Sequence, residues 1–163
     1  MFGTASADLW ISSTAPDTDL EVLLTEVRPD GQEVFVQKGW LRASHRLEDA
    51  RFSRELRPFQ SHRIGDSAPL VPGHPSLARV EIFPFAHAFR AGSKVRISVQ
   101  APNILPDLWG FASLPLPAIN TIHTSEFYPS SIALPVMDGV EIPTDYPVCG
   151  SLRNQPCRPE PAA

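Results

Sequence analysis

The sequence predicts an all-β domain with two packed sheets. Three observations carry this. Apolar residues alternate with polar ones in several short runs. Turn residues punctuate those runs, with Arg28-Pro29-Asp30-Gly31 the clearest case. Eighteen prolines, about twice the usual share, are scattered through the 163 residues and leave no room for long helices. A chain of this length is one domain by default and is long enough to bury a core.

Residues 7–12 read as a short strand, with Leu9 and Ile11 on one face. Residues 13–18 are a loop rich in Ser, Thr, Pro and Asp. A β-hairpin follows. Leu20, Val22 and Leu24 alternate with Glu21 and Thr25, and Pro29-Asp30-Gly31 suits a type I turn followed by a left-handed glycine. The return arm begins at Val34 and Phe35 and runs through Trp40 and Leu41. Residues 47–56 carry the i,i+4 pairs Arg51/Glu55 and Phe52/Leu56, which predict a helical turn. Residues 58–75 form a connection long enough to cross between two sheets.

A strand is predicted over 77–85, with Ala78, Val80 and Ile82 on one face and Pro84 marking its end or a sheet edge. Residues 94–100 are the cleanest strand, with Val95, Ile97 and Val99 expected to point inward. Residues 120–126 read as an exposed strand and 131–136 as a buried one. The long connections favour a jelly-roll sandwich over a simple meander. Residues 1–137 are assigned to this domain, and residues 138–163 to a Pro-rich, irregular tail.

Composition excludes several functions. The formal net charge is −4 and the pI about 5.7, which gives no basis for nucleic-acid or membrane-surface binding. No apolar run is long enough to span a bilayer. No Gly-x-Ser-x-Gly elbow is present, and the five histidines lack metal-ligand spacing, so no cofactor or metal is expected. His45 is read as a hydrogen-bonded structural residue and His87 as a packing residue beside Phe85 and Phe89. Asp17, Asp19 and Asp30 are read as loop and turn residues rather than calcium ligands. Trp10 and Trp40 are read as core or sheet-packing residues.

Residues 102–117 form a Pro/Leu/Trp-rich excursion. Its Leu108, Trp109 and Phe111 are the candidates for a substrate-cleft or interface contact. Trp109 either plugs the edge of the core or faces a partner, and the sequence leaves both readings open. Cys149 and Cys157 form a disulfide if the protein is exported and remain thiols if it is cytosolic.

Several segments, taken in order, resemble one family. Ala7-Asp8-Leu9-Trp10-Ile11-Ser12-Ser13-Thr14-Ala15-Pro16-Asp17-Thr18-Asp19 leads into the hairpin with Pro29-Asp30-Gly31. Gly39-Trp40-Leu41-Arg42-Ala43-Ser44-His45-Arg46 follows, then Ala86-His87-Ala88-Phe89-Arg90-Ala91-Gly92-Ser93-Lys94-Val95-Arg96-Ile97-Ser98-Val99. Asn120-Thr121-Ile122-His123 and Pro129-Ser130-Ser131-Ile132-Ala133-Leu134-Pro135-Val136 close the pattern. Together they resemble the C-terminal domain of the Xaa-Pro dipeptidyl-peptidase and cocaine-esterase (CocE/NonD) family of serine hydrolases.

The resemblance implies a galactose-binding-like jelly-roll sandwich without catalytic residues. It implies an α/β-hydrolase catalytic domain as partner, on the same polypeptide or a separate chain, with peptide or ester substrate reached through that domain. The family has one or two further strands before the segment matching Ala7, which implies a sandwich lacking its first strands and, for the isolated chain, either self-association into a homo-oligomer through an unpaired edge or marginal stability. Two other readings differ in class: a free-standing carbohydrate-binding module and a cupin-like metalloenzyme.

Overall fold

The computed structural model describes residues 1–102, 114–115 and 117–161. Among the described residues, eight strands form two antiparallel four-stranded sheets, as a β-sandwich requires. They are β1 (Phe2–Ser13), β2 (Asp19–Val27), β3 (Gln32–Arg42), β4 (Ser76–Ala86), β5 (Lys94–Gln100), β6 (Asn120–His123), β7 (Ser131–Ala133) and β8 (Cys157–Pro159). In the first sheet β1 is central, with β4 on one side and both β6 and β7 on the other. The second sheet runs β5-β2-β3-β8.

The hairpin forms as its turn residues dictate. The Gly31 amide donates to the Arg28 carbonyl at 3.1 Å, and Gly31 has φ 76°. A bulge faces the step from Leu24 to Thr25 and tucks Val36 into the core. The core lies between the sheets. Ala5, Ala7, Leu9 and Ile11 of β1 meet Leu20, Val22 and Leu24 of β2 and Ala78, Val80 and Ile82 of β4. Gly39 of β3 is where the sheets come closest, against the backbone at Glu81 and Ile82. The connection after β3 crosses between sheets and seals the core with Leu70, 3% exposed, whose amide donates to the Pro16 carbonyl at 2.7 Å.

Five expectations are corrected. First, β1 begins at Phe2, five residues before the expected start, because the small side chains of Ala5 and Ala7 pack fully although they barely register as a hydrophobic pattern. Second, residues 47–56 make one turn at 49–53, closed by the Ser53 amide on the Asp49 carbonyl, and it does not extend to the expected Arg51/Glu55 and Phe52/Leu56 pairs. Asp49 accepts the Phe52 and Ser53 amides on its carbonyl and Arg51 on its carboxylate, which outweighs i,i+4 pairs worth a few tenths of a kcal/mol.

Third, β5 has the expected span, but Val95 and Val99 are 42% and 36% exposed. They share a face with the core residues Val22 and Leu24, yet among the described residues β5 is an edge strand. Fourth, β6 and β7 are shorter than expected, and β7 is half-buried rather than buried. Fifth, the tail expected to be irregular adds β8 to the edge of β3, with Pro159 on that outer strand, where a missing N–H is tolerated.

Candidate functional site

A cluster of buried and half-buried polar side chains sits where the hairpin end meets the segment before β5. Leu20, Val22, Leu24 and Glu26 share the inward register of β2, so the strand drives a carboxylate into the core's end; Glu26 is fully buried. A buried charge needs partners, and Glu26 has three. His87 Nε2 lies 2.9 Å from one carboxylate oxygen and Ser93 Oγ donates to the other at 2.6 Å. Arg28 Nε stands 3.8 Å away. A second layer comes from the tail. Tyr146 Oη lies 3.0 Å from Ser93 Oγ, Gln155 Nε2 lies 3.4 Å from His87 Nδ1, and Arg28 donates to the Pro147 carbonyl at 2.7 Å.

Serine, histidine and carboxylate are the residue types of a hydrolytic triad, but their order in space is wrong for one. A triad needs the imidazole between hydroxyl and carboxylate, so that it takes the serine proton. Here the carboxylate stands between the other two. The arrangement ties the tail to both sheets. His87 packs edge-on against Phe89 with ring centroids 4.8 Å apart, which is the packing role expected of it. Sequence reasoning missed Glu26, Ser93 and Tyr146; the available signal was a glutamate in phase with three inward apolar residues.

A second Ser–His contact lies on the outer face of the first sheet. Ser12 Oγ is 2.9 Å from His123 Nε2 across β1 and β6. Trp10 and Tyr128 pack beside it with ring planes tilted at 56° and centroids 5.2 Å apart. Trp10 is therefore half-buried on the outer face rather than in the core, and half-buried Trp40 packs edge-on against Phe83 at 5.4 Å. The aspartates do structural work. Asp17 accepts the Thr18 and Ser44 amides, Asp19 forms a two-point pair with Arg42, and Asp30 accepts the Gln32 amide. His45 lies in a short 3₁₀ turn at the end of β3.

Two grooves mark the surface. One, about 290 Å³, runs over the outer face of the second sheet between Leu23, Phe35 and the tail at Pro156–Arg158. Its floor holds Glu33. Burial opposes that charge, but hydrogen bonds from the Thr25 hydroxyl and Arg158, with the positive charges of Arg158 and Arg96, outweigh it and hold the carboxyl below the usual range. The other groove, about 480 Å³ and largely apolar, opens at one end of the first sheet around Met1, Phe2 and Val136–Ile142. Cys149 and Cys157 are joined by a disulfide, with Cα atoms 5.5 Å apart. Leu108, Trp109 and Phe111 lie outside the described residues.

Comparison with protein families matches residues 1–133 to the X-Pro dipeptidyl-peptidase C-terminal non-catalytic domain. The chain belongs to this family. A serine esterase of Mycobacterium bovis is 32% identical over 139 residues, which is 83% of this chain and 21% of that protein. The cocaine esterase of a Rhodococcus species is 29% identical over 139 residues, 83% of this chain and 23% of that protein. A CocE/NonD family hydrolase of Staphylococcus aureus shares the fold, with a TM-score of 0.72 at 22% identity over 82% of this chain and 27% of that one. The chain thus spans about a fifth of the length of its curated relatives, and it corresponds to the non-catalytic C-terminal domain of CocE/NonD-type hydrolases. The family match covers β1 to β7 and ends before the Pro-rich tail that carries β8.

Proposed function

We propose that this chain serves a serine hydrolase of the acyl esterase or Xaa-Pro dipeptidyl-peptidase kind by packing on its α/β-hydrolase domain and helping to wall the substrate cleft. The observation that carries the reading is the match of nearly the whole sandwich to a domain defined as non-catalytic, in proteins named as esterases. The geometry agrees with it. The half-buried Ser93 and the buried Glu26 and His87 are spent on one another in an order that cannot activate the serine. Within this reading Leu108, Trp109 and Phe111 are the sequence's candidates for contact with the cleft, since their apolar surface exceeds what a solvated loop needs.

The test is enzymatic. The isolated chain is expected to hydrolyse neither p-nitrophenyl esters nor Xaa-Pro anilides. Turnover that rises in proportion to this chain and is blocked by a serine-directed phosphonate overturns the proposal.

A further inference from the structure

The groove on the outer face of the second sheet, about 290 Å³, belongs to neither the core nor the Glu26 cluster. Its floor follows from the register of three strands. Leu23 and Thr25 of β2 lie beside Ser98 and Arg96 of β5 on one side, and beside Lys38 and Phe35 of β3 on the other. One wall is the tail. The Phe35 amide donates to the Pro156 carbonyl at 2.9 Å, and the disulfide to Cys149 holds Cys157 of the same wall. This wall lies beyond residues 1–133, so the family match does not account for the groove.

The chemistry of the groove narrows the ligand. Its charges cancel in place. At one end buried Glu33 accepts Arg158 Nε at 2.8 Å and the Thr25 hydroxyl at 2.8 Å, and faces Arg96 at 3.4 Å. At the other end, beside Gln100, buried Glu21 pairs with Lys38 at 3.0 Å and accepts the Gln100 side-chain amide at 3.1 Å. An ionic ligand has to break one of these pairs, which strands a buried charge. A wholly apolar ligand leaves the polar groups it covers without partners. A neutral ligand rich in hydroxyls avoids both costs. Among the described residues three groups remain open to it. The Ser98 hydroxyl and the Gln100 side-chain oxygen have no hydrogen-bond partner, and Arg158 bonds through Nε alone. Half-buried Leu23 and Phe35 supply an apolar floor on which a ring can lie by its C–H face. The ion pairs fix the surrounding side chains before a ligand arrives, which lowers the entropy cost of binding. The volume stands at the lower limit of ligand pockets, about 300–1,000 Å³, and suits one or two rings.

We infer that this groove, bounded by Leu23, Phe35, Ser98, Gln100 and Arg158, is a binding site for a neutral saccharide of one or two rings. The site goes beyond the proposed function and does not depend on it. It also gives the tail a role, since β8 and the disulfide hold the wall that closes the groove.

Calorimetric titration of the full chain with lactose, cellobiose and maltose tests it, with backbone amide shifts in NMR spectra to place the ligand. At least one of the three is expected to bind saturably and to shift the Thr25, Phe35 and Ser98 amides. Ser98→Ala and Gln100→Leu should each weaken that binding at least fivefold. Both positions are half-buried or exposed, so melting should stay within about 2 °C of wild type. Saturable binding of none of the three disaccharides overturns the inference. Binding that both variants leave intact and Trp10→Ala abolishes assigns the ligand to the outer face of the first sheet, and overturns it too. Tighter binding of sodium glucuronate than of glucose marks an ionic site and overturns the inference as well.

Discussion

Gly39→Ala is the sharpest test of how the two sheets meet. Gly39 lies in β3, opposite Val22 of β2, and faces β4 of the other sheet. A Cβ at this position falls 1.7 Å from the Glu81 carbonyl oxygen, 2.7 Å from its carbon and 3.2 Å from the Ile82 Cα. All three atoms are backbone, so no side chain can swing away. Ordinary contact begins near 3.4 Å, and the sheets must therefore part locally by roughly 1.5 Å. A gap of 0.5–1 Å already forfeits about a quarter to a half of each van der Waals contact across it. The contacts at risk involve Val22, Leu41, Val80 and Ile82, all buried. The cost is about 3–5 kcal/mol, above the usual 1–3 kcal/mol of overpacking because the clash is with backbone, and a large share of the stability of an ordinary domain. Urea denaturation followed by tryptophan fluorescence should show the midpoint falling by about 2 M. Gly31→Ala is the companion. Nothing lies within 4 Å of a Cβ there, so only the left-handed backbone at φ 76° is penalised, by about 1 kcal/mol. A Gly39→Ala midpoint within about 0.3 M of wild type, or a larger loss at Gly31, refutes the close approach of β3 and β4.

Two further outcomes follow from the second sheet and its tail. Because the folded state holds the Glu33 carboxyl below its ordinary value of 4.5, the stability it contributes is present above that pH and is lost as pH falls through the lower folded value. Acid titration of the unfolding free energy should decline below about pH 4.5, and Glu33→Gln should flatten that limb; an unchanged slope removes Glu33 from the balance. Reducing the disulfide, or replacing Cys149 and Cys157 by serine, frees a loop with a sequence separation of 8 and should cost about 2.5 kcal/mol, with faster exchange of the Phe35 amide that donates to Pro156. Equal midpoints with and without reductant would show that the crosslink contributes nothing.

The hairpin was legible because its signals agree: the period of β2, the Pro-Asp-Gly turn and the return of β3 each point to the same register. The turn at 49–53 was legible but its expected partners were not, because Arg51 pairs with Asp49, two residues away, and not with Glu55, four residues away. The tail failed for a different reason. Proline content argues against regular structure in general, yet β8 needs only a few backbone bonds along the edge of β3. The Arg158–Glu33 pair at 2.8 Å and the disulfide hold those bonds in place. The candidate site was least legible because its partners are distant in sequence. Glu26, His87 and Tyr146 have no spacing that marks them, and only the inward register of Glu26 betrays that something must satisfy it.

The misreading of β5 carries the most general point. Alternation in Val95, Ile97 and Val99 correctly identifies one apolar face, and the register confirms that this face is continuous with Val22 and Leu24. Alternation does not report how far the opposing sheet extends. In the first sheet β4 packs over β3, while the other edge consists of β6 and β7, strands of four and three residues. Ile97, at the middle of β5, is packed against the core, whereas Val95 and Val99 toward its ends remain exposed. Burial of an edge strand is thus set by the length of the strand it faces, and that length is written elsewhere in the chain.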